Sequence, residues 1–179
     1  RIKHPADEVV FHIVGKYVGL EDSYKSLNEA LVHGGFAHNL KVVYRWVEAE
    51  ALEEPDGARL LDGADGILVP GGFGTRGTRG MMMAARVARE RSIPYLGICY
   101  GFQWAVVEFA RDVAGLVEAD STECHEEAVH KVIYKLRDLL GVDELGGTMR
   151  LGSYACELQA GSLASRVYGG ATLLHERHR

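Results

Sequence analysis

Apolar positions fall in short runs separated by glycine-rich and charged stretches, and the runs differ in period. Val9 to Val14 is apolar and closes at Gly15, the pattern of a strand buried on both faces. Asp22 or Ser23 is the candidate cap of a helix running through Val32, with Tyr24, Leu27, Ala30 and Leu31 on one face. Leu40 to Val47 is β-branched and aromatic and predicts a second strand. Asp65 to Pro70 predicts a short buried strand that enters a glycine loop, followed by a helix over Met81 to Arg91. Ile93 to Cys99 predicts another buried strand. Ala105, Val106, Phe109, Ala110 and Val113 then recur at helical spacing up to Gly115. Beyond Glu118 the pattern weakens, leaving a strand region at Thr148 to Leu158 and a short helix at Leu163 to Tyr168. No internal repeat, low-complexity tract or linker interrupts the chain. Strands alternating with helices predict an α/β fold, a mainly parallel central sheet flanked by helices.

Composition narrows the function classes. The 179 residues are 47% hydrophobic and 25% charged, which fits one soluble globular domain, and no apolar run approaches the roughly 18 residues of a membrane span. With 25 acidic against 20 basic residues the formal charge is −5, which offers no general attraction to a nucleic-acid backbone. Cys99, Cys124 and Cys156 form neither an even framework nor a CxxC pair, which predicts a reducing, cytoplasmic setting. Glycine is enriched, 22 of 179, and much of the excess lies between Gly71 and Gly101.

Two glycine turns there sit at predicted strand ends, where parallel sheets bind ligands. Gly97-Ile98-Cys99-Tyr100-Gly101 has the G-x-nucleophile-x-G form of a strand-to-helix elbow. A helix N-terminus at Cys99 would favour its thiolate, and the Tyr100 N–H would be free for a developing oxyanion. The alternative is a buried apolar cysteine. Gly72 to Gly77 spells GxGxxG, but the next strand ends at Cys99 rather than at the acidic residue a dinucleotide fold requires. A loop N–H facing Cys99 as a second oxyanion donor fits better, against the bland reading of a mere turn. His125 and His130 near Cys124 and Glu126, and His175 with His178, lack structural zinc spacing, so no metal site is expected. Cys124 and Cys156 read as inert. Arg79, Arg86, Arg89 and Arg91 read as a solvated helix face, with Arg76 apart in the loop.

These residues closely resemble the glutaminase domain of the CTP synthase family, a class I triad-type glutamine amidotransferase with flavodoxin-like layering. The resemblance rests on VGKYVGLEDSYKSLNEAL (Val14 to Leu31), VPGGFGTRG (Val69 to Gly77), PYLGICYGFQ (Pro94 to Gln103), STE (Ser121 to Glu123), GGTMRLG (Gly146 to Gly152) and ERHR (Glu176 to Arg179). It spans nearly the whole chain as one domain, 1–179.

The resemblance implies that Cys99 attacks the side-chain amide of L-glutamine, forming a thioester and releasing ammonia. Gly72 and Tyr100 would hold the oxyanion through backbone N–H groups. Gly101, Phe102 and Gln103 would line the substrate site, Glu123 would bind the α-amino group, and an arginine of ERHR, assigned to Arg179, would pair with the α-carboxylate. The domain itself would carry no cofactor. Its ammonia would serve a synthetase domain of the same polypeptide that uses ATP, Mg and UTP, with GTP as allosteric activator and the full-length enzyme a homo-oligomer. The opening RIKHP resembles the family's interdomain linker, which implies a chain lacking the synthetase domain. The family's catalytic histidine and glutamate belong to a motif downstream of ERHR, and no residue through Arg179 matches the base. Arg79 stands where relatives commonly carry an acidic residue, and Cys124 to Leu145 matches the family poorly. The rival readings are a glutaminase of another triad amidotransferase and a non-catalytic glutamine-binding or regulatory module. A nucleotide-binding redox domain is more distant.

Overall fold

The structure is a computed structural model that describes residues 5–16, 24–135 and 152–178. The chain forms two compact units, Arg1–Lys135 and Leu136–Arg179.

In the first unit, β1 (Asp7–Gly15) leads through α1 (Lys25–His38) to β2 (Leu40–Glu48). Two 3-10 turns (Ala49–Glu53 and Gly57–Leu61) precede β3 (Gly66–Val69), α2 (Thr78–Arg91), β4 (Tyr95–Gly97) and α3 (Tyr100–Asp112). β1 to β4 form one sheet in the order β2-β1-β3-β4, and every pairing is parallel. The predicted α/β class and parallel sheet are therefore present, because each apolar run is long enough for a strand and each connection long enough for a crossover. β5 (Ala119–Ser121) and β6 (His130–Ile133) form a separate parallel pair.

The interior lies where α2 and α3 pack on each other and on the sheet. Val14, Val47, Leu52, Leu61, Ile67, Val69, Met81, Val87, Tyr100, Trp104 and Val107 belong to one buried cluster. β3 is buried at all four residues, so its apolar run reads as a continuous stripe rather than an alternating one.

Three local expectations need correction. α1 continues past Val32 to His38, where Asn39 ends it in the left-handed conformation, and its inward side uses Gly35 with Leu27 and Leu31 while Ala30 is exposed. A Cβ on Gly35 would lie 2.8 Å from the Leu40 carbonyl oxygen, so the helix passes too close to β2 for a larger residue. The candidate caps Asp22 and Ser23 lie outside the described residues. α3 turns Tyr100, Trp104, Val107 and Glu108 inward, whereas Phe109 and Val113 of the predicted face are 53% and 48% exposed. Glu108 is buried because Arg89 of α2 reaches it at 2.5 Å. Arg89 is thus an interhelical partner, while Arg86 pairs along the helix surface with Glu90.

The second unit pairs β7 (Gly152–Glu157) antiparallel with β8 (Leu173–His178), with a one-turn helix α4 (Leu163–Val167) between them. Ser162 caps α4 by accepting the Ser165 N–H at 3.1 Å. Residues 148–151 of the expected strand lie outside the described residues. Among the described residues no helix is long and apolar enough to cross a membrane.

Candidate active site

β4 ends at Gly97 and α3 begins at Tyr100, which leaves Cys99 on the turn between them with φ 52° and ψ −106°. A positive φ is uncommon and strained for a residue with a Cβ. Here it is over-determined by the packing on both sides. A Cβ on Gly97 would meet the Phe102 nitrogen at 2.5 Å, and one on Gly101 would meet the Val69 carbonyl oxygen at 2.1 Å. Only glycine at both flanks lets the turn close this tightly. The Ile98 N–H donates to the Val69 carbonyl at 2.9 Å, and the Gly101 N–H donates to the Ile98 carbonyl at 3.1 Å. Tyr95 adds a hydroxyl bond to the Gly101 carbonyl at 2.8 Å. The result presents an exposed Cys99 thiol at the carboxyl edge of the sheet, directly before the amino end of a 13-residue helix. The buried-cysteine reading does not describe this residue.

Tyr100 occupies the first position of α3, so its N–H is among the four amides a helix cannot pair internally. The glycine loop after β3 comes up against the same turn. The Cβ position of Gly71 lies 3.6 Å from the Cys99 Cβ, and that of Gly72 lies 3.5 Å from the Tyr100 Cδ1. The two glycine motifs, far apart as sequence features, thus form one surface around the thiol. Phe102 is 58% exposed beside it and Gln103 is half-buried. Glu123, exposed on the segment after β5, reaches the loop and accepts the Gly74 N–H at 3.0 Å. Arg179 lies outside the described residues.

Side-chain contacts that the sequence motifs did not reveal hold this surface. Lys16, immediately after β1, is 5% exposed and donates to the carbonyls of Phe73 at 2.8 Å and Gly74 at 2.7 Å. Its burial pulls the ammonium pKa below the usual lysine range. The Tyr100 hydroxyl donates to the Gly74 carbonyl at 2.6 Å and lies 3.4 Å from the Cys124 Sγ. Burial pushes both the Tyr100 phenol and the Cys124 thiol up, keeping them protonated. Arg76 donates to the Lys16 carbonyl at 2.6 Å and to Glu50 at 2.7 Å, which ties the far side of the loop to the end of β1. The available signal for Lys16 was its place at the carboxyl end of a parallel strand, the same rule that drew attention to the glycine turns.

A cleft of about 560 Å³ is lined among others by Arg111, Asp120, Cys124 and His125. Asp120 is already engaged there by Arg111 at 2.8 Å and by the His125 Nδ1 at 2.7 Å. Neither Cys99 nor the glycine loop lines it.

Comparison with known proteins agrees with this geometry. Residues 20–179 match the family described as glutamine amidotransferase class-I. The chain is 59% identical over 179 residues to a CTP synthase of Acidobacterium capsulatum, covering all of this chain and 32% of that protein. It is 58% identical over 181 residues to a CTP synthase of Koribacter versatilis, again all of this chain and 32% of the relative. A CTP synthase of Thermococcus kodakarensis is 52% identical over 179 residues, with 33% of that protein covered. The chain therefore spans about a third of the length of these relatives. Among solved structures, the glutaminase domain of Trypanosoma brucei CTPS with bound acivicin superposes with a TM-score of 0.86 at 35% identity, covering 96% of this chain and 66% of that one.

Proposed function

The chain belongs to the class I glutamine amidotransferase family, and on that footing we propose that it is the glutaminase part of a CTP synthase. The observation that carries the reading is the exposed Cys99, held at positive φ between Gly97 and Gly101 and faced by Gly71 and Gly72. The identity to several CTP synthases supports the choice among amidotransferases.

In this reading the Cys99 thiolate adds to the side-chain amide carbon of L-glutamine. Negative charge then develops on the amide oxygen, and the N–H groups of Gly72 and Tyr100 receive it. Collapse of the tetrahedral adduct breaks the carbon–nitrogen bond, and the nitrogen leaves as ammonia after taking up a proton. A γ-glutamyl thioester remains on Cys99, and water cleaves it to glutamate and the free thiol. Gly101, Phe102 and Gln103 line the substrate site. Glu123 receives the substrate α-ammonium through a charge-assisted hydrogen bond, and Arg179 pairs with the α-carboxylate. The domain, residues 1–179, needs no cofactor for this half-reaction. The ammonia serves a synthetase domain of the same polypeptide that uses ATP, Mg and UTP to form CTP, with GTP activating the glutaminase half. The whole enzyme works in the cytoplasm as a homo-oligomer.

The test is intact mass after incubation with an electrophilic glutamine analogue. We expect a single adduct that Cys99→Ala abolishes and excess glutamine prevents. If generic thiol reagents label Cys99 but the analogue does not, the elbow is not a glutamine site and a binding-module role replaces this one.

A further inference from the structure

The loop that carries the Gly72 N–H is rich in glycine, with Gly71, Gly72 and Gly74 in four positions, and Gly74 sits at φ 72°. Such a segment has no intrinsic preference for one conformation. An oxyanion site, by contrast, needs its donors fixed to within about half an ångström. Something outside the loop must therefore hold it.

The holding groups converge on Gly74. Its carbonyl oxygen accepts from the Tyr100 hydroxyl at 2.6 Å and from the Lys16 ammonium at 2.7 Å. The same ammonium takes the Phe73 carbonyl at 2.8 Å and lies 4.7 Å from the centroid of the Tyr100 ring. Tyr100 is itself immobilised: its side chain is 1% exposed and packs edge-on against Trp104 with centroids 5.7 Å apart. Buried, charge-assisted bonds to backbone carbonyls are among the stronger hydrogen bonds available to a protein.

Resting on the glutaminase reading above, we infer that the Tyr100 hydroxyl and the Lys16 ammonium are positioning groups that set the separation of the two oxyanion donors. The geometry gives the reason. Tyr100 supplies one donor through its own backbone N–H, while its hydroxyl grips the loop two residues beyond the other donor, Gly72. One rigid side chain thereby references both donors to the first residue of α3, and Lys16 secures the same carbonyl from the end of β1. Neither side chain needs to touch the substrate.

The test uses the full-length native protein with Tyr100→Phe and Lys16→Met, and with Lys16→Arg as the conservative variant. Steady-state glutamine hydrolysis is measured beside the rate at which iodoacetamide alkylates Cys99, a displacement that builds no oxyanion. Removing an oxyanion donor outright lowers kcat by about 10²–10³-fold, so loosening one should lower it by about tenfold. We expect that loss of kcat in Tyr100→Phe and Lys16→Met, with the KM for glutamine within about twofold, alkylation at the wild-type rate, and partial recovery in Lys16→Arg. Wild-type kcat in both variants overturns the inference. So does an effect confined to KM, or a fall in alkylation that parallels the fall in kcat, since the latter marks damage to the whole elbow. Cys99→Ala in the same assay separates the two levels. If it still hydrolyses glutamine, the glutaminase reading itself has failed, whereas inactivity of Cys99→Ala with unaffected Tyr100 and Lys16 variants removes only the positioning role.

Discussion

The carbonyl oxygen of Val69 lies 2.1 Å from the position a Cβ on Gly101 would take. The last residue of β3 and the second residue of α3 are thus in direct backbone contact, and this contact fixes how far Cys99 projects beyond the sheet edge. Gly101→Ala should destabilise the fold by about 1–3 kcal/mol, because the obstacle is main chain and cannot rotate away. It should also slow covalent capture of a glutamine analogue at Cys99. A denaturant midpoint equal to wild type would show that the elbow relaxes at no cost, contrary to this expectation.

Glu123 accepts the Gly74 N–H at 3.0 Å and is also the proposed partner of the substrate ammonium. A carboxylate can serve both, since its two oxygens offer about four acceptor positions. Glu123→Gln keeps an oxygen for Gly74 but loses the charge. Hydrogen bonds to charged groups are worth about 1.5–3 kcal/mol, so the KM for glutamine should rise about ten- to a hundredfold while kcat changes far less. Steady-state kinetics on the variant decide it; an unchanged KM assigns ammonium recognition elsewhere.

If the chain works as half of a CTP synthase, the two chemistries should be separable. Cys99→Ala in the full-length enzyme should abolish CTP formation from glutamine and leave formation from added ammonia intact. A product assay with each nitrogen source is sufficient. Loss of both would contradict the proposed division of labour.

His12, 2% exposed in the middle of β1, titrates below the ordinary histidine value because burial opposes its charged form. The Leu60 carbonyl, Asp62 and Asp65 pull the other way, and Arg45 adds to the lowering. With the folded pKa below the unfolded value of 6.5, the unfolded chain binds the proton first as pH falls. Stability from this group is therefore fully present above about pH 6.5 and declines below it, down toward the folded pKa. Urea midpoints between pH 7.5 and 5.5 should fall less for His12→Leu than for wild type. Parallel slopes would refute the contribution.

The strands β1 to β3 and the helices α2 and α3 were legible in the sequence, because an apolar run bounded by glycine or charge has few other ways to bury itself. The buried strand expected over Ile93 to Cys99 is instead the short β4, Tyr95–Gly97, with Leu96 56% exposed beside the elbow. The elbow was legible for the same local reason: Gly97, Cys99 and Gly101 are two residues apart, and the turn they make depends on that spacing. The inward face of α3 was not. Apolar periodicity scores Phe109 and Val113 as core and Glu108 as surface, whereas a charge can be buried once a partner such as Arg89 reaches it across a helix pair. The two 3-10 turns between β2 and β3 escaped for a related reason, since Ala49 and Leu52 bury themselves through contacts that no period encodes.

The sequence by itself thus determined the cysteine elbow, the glycine loop and the alternation of strands and helices that carries them, all set by neighbours a few residues away. Only the tertiary structure decided what holds the loop over the thiol. Lys16 lies 58 residues from Gly74, Glu123 lies 49 away and Tyr100 lies 26 away, and each meets it through a single hydrogen bond. Hydrogen bonds between such distant positions leave no periodic trace along the chain, and they exist only once the sheet has brought its strand ends to one edge.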